Sequence, residues 1–65
     1  MAAIVTLYQA TNENVAAGFE TTIDGEGEQI VTKAAPILHK LIFGKALADA
    51  IYALTNRGYD VEVVK

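Results

Sequence analysis

The side chains here with chemistry to offer are one imidazole, His39, and three carboxylates, Asp24, Glu26 and Glu28, separated by Gly25 and Gly27. An imidazole can serve as a general base, and closely spaced carboxylates can present oxygen ligands to a divalent cation. Neither theme is developed further along the chain. There is no Cys and no Ser, so Thr is the only common nucleophile left. His39 stands between Leu38 and Lys40, without the nucleophile and orienting carboxylate that triad chemistry needs. The acidic run lacks the longer ligand series and late bidentate Glu of an EF-hand loop, so it reads as a solvated hairpin tip. Gly25-Glu26-Gly27 is surrounded by acids, which would repel a phosphate. The sequence therefore predicts no enzyme, with no catalytic, cofactor-binding or metal residues.

Charge is unevenly placed. Residues 1–32 carry Glu13, Glu20, Asp24, Glu26 and Glu28 and no Lys or Arg, a net of −5. Residues 33–65 carry Lys33, Lys40, Lys45, Arg57 and Lys65 against Asp49, Asp60 and Glu62, a net of +2. A net of −3 argues against direct nucleic-acid binding, which runs on neutralising phosphates, and the lysines have no aromatic stacking row beside them. The acidic half could instead imitate a phosphate backbone. Glu20, Asp24, Glu26 and Glu28 are its candidate partner-binding residues, aimed at a basic groove on a protein target. Size and charge are compatible with the small acidic inhibitors that phages and mobile elements use.

The elements that position these groups follow from periodicity. Ala3 to Thr11 reads as an inner strand, rich in Val, Ile, Thr and Tyr with apolar atoms on both faces. Phe19 to Asp24 alternates, with Phe19, Thr21 and Ile23 on one face. Asp24-Gly25-Glu26-Gly27 is a hairpin signal, and Glu28 to Thr32 returns as a short strand. Lys33 to Arg57 reads as helical, with Thr32 as N-cap, Pro36 in the first turn and Gly58 as the left-handed stop. Tyr59 to Val64 is a last strand, entered as if from an α/β crossover.

The helical stretch changes face. At about 100° per residue, Ile37, Leu38, Leu41 and Ile42 share one side, while Leu47, Ala48, Ile51 and Leu54 share a nearly opposite one. Gly44 lies at the change. Either the helix breaks or kinks there, or its two halves are covered by different neighbours, one of them a second chain. The predicted fold is an α+β two-layer sandwich over a single domain, residues 1–65. A small mixed or antiparallel sheet of three or four strands, in the order β-β-β-α-β, is covered by one long helix kinked or broken near Gly44.

A chain of 65 residues that is 52% apolar has much apolar surface for a small core to absorb. Without Cys it has no disulfide staple, so the composition predicts a homodimer or higher homo-oligomer. Leu38, Leu41, Ile42, Phe43, Leu47 and Ile51 are the candidate self-association residues. The most apolar stretch is interrupted by His39, Lys40, Lys45 and Asp49, and the helix lacks a strongly basic polar face, so no membrane role is expected. The N-terminal residues lack a basic leader and cleavage site, which makes the cytoplasm the expected compartment. The function expected is a protein-interaction module that self-associates through its helical layer and binds or inhibits a protein target. The alternative is a subunit of a self-assembling structural homo-oligomer.

Overall fold

The computed structural model describes residues 4–64. The order is β1 (Ile4–Thr11), β2 (Ala16–Ile23), β3 (Gln29–Ala34), α1 (Pro36–Ile42), α2 (Leu47–Thr55) and β4 (Asp60–Val63). The sheet is antiparallel throughout, in the spatial order β3-β2-β1-β4. The α+β class and four-stranded sheet match expectation. The single long helix and the β-β-β-α-β order do not, because two short helices stand in its place. The first strand is found from Ile4 onward, and Ala3 lies outside the described residues.

The break falls at Gly44, whose φ of 79° lies in the left-handed region. There the backbone leaves the helix and takes new partners. The Gly44 amide donates to the Val31 carbonyl (3.0 Å), and the Val31 amide donates to the Lys45 carbonyl (2.9 Å). Ile30 also bridges to Ala46, so the interhelix linker lies along the outer edge of β3. Each helix then buries its own i, i+4 pair, Leu38 with Ile42 and Ala50 with Leu54. The change of apolar face is thus resolved by a reversal of the chain.

That reversal sets the direction of β4. The Ala35 amide donates to the Gly18 carbonyl (3.0 Å), so α1 begins beside the far end of β3 and runs back to the level of Val31. From there α2 returns to where Asp60 pairs with Thr11. Two passes over the sheet deliver β4 antiparallel to β1. One helix would have delivered it parallel, as a βαβ crossover does.

Strand pairing also takes the start of the predicted helix. Lys33 pairs with Glu20 and Ala34 with Phe19, past a bulge between Glu20 and Thr21. Thr32 is therefore not a cap: its hydroxyl lies 2.9 Å from that of Thr22. Ala35 takes the N-cap position without a side-chain hydrogen bond, and Pro36 is the first helical residue.

One face of the sheet carries Tyr8, Ala10, Ala17, Phe19, Thr21 and Val31 under the helices. Phe19 is its largest fully buried side chain and stacks on Tyr8 with ring centroids 5.3 Å apart. Among the described residues nothing covers the other face, which presents Val5, Leu7, Glu20, Thr22 and Glu62.

Gly44→Ala is expected to cost about 1–2 kcal/mol, the penalty for an L-residue in the left-handed region. A Cβ there meets no atom within 4 Å, so the whole effect is conformational. Gly25→Ala, equally open but with no positive φ, is the control and should be neutral. Thermal unfolding followed by circular dichroism separates the two.

Candidate functional site: an acidic turn and a basic groove

The turn between β2 and β3 is built by Asp24. Its Oδ1 accepts from the amides of Glu26 (2.8 Å) and Glu28 (3.0 Å), as Asp side chains do in tight turns. The Gly27 amide donates to the Asp24 carbonyl (3.1 Å), and the Asp24 amide donates to the Glu28 carbonyl (3.0 Å). All five residues are exposed. Asp24 therefore acts as a staple, and Glu26 and Glu28 are left to project from a narrow tip whose other positions are glycine.

Of the four acids expected to share a surface, three are brought together at this tip. Glu20 is not among them. It sits four residues up β2, about 13 Å away along the strand, on the uncovered face across from Lys33.

His39 lies exposed on α1 and stacks on the Phe43 ring, with centroids 4.3 Å apart and planes at 16°. Among the described residues, no group of three or more His, Cys, Asp or Glu side chains is placed to hold a metal. Among the described residues, no helix is long and apolar enough to cross a membrane.

The residues assigned to self-association divide by burial. Leu38 and Ile42 are wholly enclosed in the chain's own core. Leu41, Leu47 and Ile51 are half-buried, and Phe43 is exposed. Besides Phe43, the helical layer shows solvent two large apolar residues outside that set, Ile37 and Tyr52, the last at 70% exposure.

Two arrangements had no signal in the sequence. The first is a polar network under the rim of the helical layer. Gln29 Nε2 donates to Tyr8 Oη (3.1 Å) and to Thr21 Oγ1 (2.8 Å), and Thr21 Oγ1 lies 3.4 Å from the Thr6 carbonyl. Thr21, the one buried polar residue among the described residues, is thereby satisfied. The second is a shallow groove between the helices, about 510 Å³, lined by Lys40, Leu41, Ala53, Asn56 and Arg57. It continues into a hollow of about 380 Å³ bounded by Asn12, Ile37 and Tyr59 together with Lys40, Leu41 and Arg57. A third hollow, of about 290 Å³, lies between Arg57 and the β1–β2 turn, where Glu13 stands. Lys40 and Arg57 are 17 residues apart and meet only because the helical stretch folds back on itself.

Comparison with protein-family models, with curated proteins and with solved structures finds no match for this chain.

Proposed function

We propose that the chain is a small, non-enzymatic protein-interaction module of the cytoplasm that self-associates and uses its acidic turn to bind, and so inhibit, a protein target with a basic surface. The observation that carries this reading is the tip itself. Two carboxylates, Glu26 and Glu28, are held out from the body on a turn that Asp24 fixes through two backbone hydrogen bonds. A pre-organised loop loses little freedom on docking, so more of its electrostatic attraction survives as affinity.

The test begins with native mass spectrometry of tagged protein recovered from its source cell, to find a defined complex. Glu26→Lys with Glu28→Lys should then abolish that complex, and Glu20→Lys should leave it intact. Retention of the partner by the tip variant at unchanged salt sensitivity would rule the reading out.

The second reading, a self-assembling structural subunit, draws on the uncovered sheet face, where Val5 is 57% and Leu7 45% exposed beside Val64. So much apolar side chain left open on one face of a small sheet is what a contact between copies would cover.

A further inference from the structure

We infer that the acidic turn of one copy docks in the Lys40–Arg57 groove of the next, joining chains head to tail. The inference rests on the self-association reading above and gives it a site. The occupant follows from charge and shape. The groove brings two cations, Lys40 and Arg57, together with Leu41, Ala53 and Asn56. Among the described residues lining the groove and its hollows, Lys40 and Arg57 are the cations and Glu13 the one acid, while Asp60 stands exposed beside Tyr59 at the same end, so the positive charge is local to the groove. The tip carries Asp24, Glu26 and Glu28 with no cation in the turn, and Gly25 and Gly27 keep it slim enough for a shallow cleft.

The two features lie at opposite ends of β2. The groove reaches the β1–β2 turn at Asn12, whereas the tip leaves β2 after Ile23. Eight residues of strand, about 25 Å, separate them in a molecule 39 Å long. A chain therefore cannot fill its own groove. Because the two patches differ, repeated addition gives a ring or an open string of subunits, and reciprocal docking of two antiparallel copies would close a two-fold dimer instead, which the size of the largest species distinguishes. The pairing is carried mainly by exposed charge, so it is modest in strength and sensitive to salt.

The experiment is sedimentation velocity across a concentration series at roughly 0.01 M and roughly 1 M salt, where the screening length falls from about 30 Å to about 3 Å. Wild type should grow with concentration at low salt and fall to monomer at high salt. Glu26→Lys with Glu28→Lys, and separately Lys40→Glu with Arg57→Glu, should each weaken association about tenfold or more. An equimolar mixture of the two variants should recover it, since each reversed tip then meets a reversed groove and each native tip a native groove. All four substituted positions are exposed, and circular dichroism verifies that the variants are folded. Wild type that stays monomeric at low salt overturns both this inference and self-association. Association that ignores salt and both variants overturns the inference and leaves self-association standing. Variants that dissociate singly but do not recover when mixed overturn the pairing of tip with groove.

Discussion

Phe19→Ala should unfold this protein, or come close to it. Phe19 is 2% exposed, stacks on Tyr8 and lies under the helical layer. Removing a buried Phe costs about 3–5 kcal/mol, through lost transfer energy and the cavity left behind. At about 0.05–0.15 kcal/mol per residue, a chain of 65 residues has roughly 3–10 kcal/mol of stability in total. The melting temperature should fall by at least about 12 °C, at 4–8 °C per kcal/mol for a domain of this size. Phe43→Ala is the internal control. That ring is half exposed and touches His39 on the surface, so the change should stay within about 0.5 kcal/mol. Equal losses for the two would place the core wrongly.

The second large effect separates two adjacent residues of α1. Leu38 is 0% exposed and Ile37 51%. Leu38→Asp removes a core side chain, at about 2–5 kcal/mol, and puts an unpaired carboxylate where it stood, at several kcal/mol more. The sum matches or exceeds the stability available, so soluble folded protein should not be recovered. Ile37→Asp should fold normally, helped slightly by a negative charge in the first turn of a helix. Urea unfolding of the two variants reads the difference. Comparable midpoints would mean that the face of α1 turned to the sheet has been misassigned.

How far the sequence revealed this molecule varied with the range of the signal. The strict alternation from Phe19 to Ile23 and the Asp-Gly turn after it are local, and both were legible. So was the change of apolar face at Gly44, although the periodicity alone did not decide between a bent helix and two. Lys33 and Ala34 read as helix from the sequence because Lys and Ala are helix formers and nothing nearby says otherwise. Their pairing with Glu20 and Phe19 is a tertiary fact that outweighs propensity. The candidate site divided in the same way. Asp24, Glu26 and Glu28 stay together because one turn holds them. Glu20 separates because a strand carries side chains along a line, and the Lys40–Arg57 groove depends on a chain reversal that neither residue encodes.

The interhelix linker also bears on how this sheet behaves when crowded. Cross-β growth needs two free edges on every molecule, one to receive a strand and one to offer the next template. Here the Gly44–Ala46 segment occupies the middle of the β3 edge, using both the amide and the carbonyl of Val31. Among the described residues, the opposite edge is formed by β4, four residues long and carrying Asp60 and Glu62, and by the start of β1 beyond it. Strand addition between folded molecules therefore stops after a single pairing. Fibrillar aggregation would require α1 and α2 to peel away first, so it should follow the loss of the helical layer.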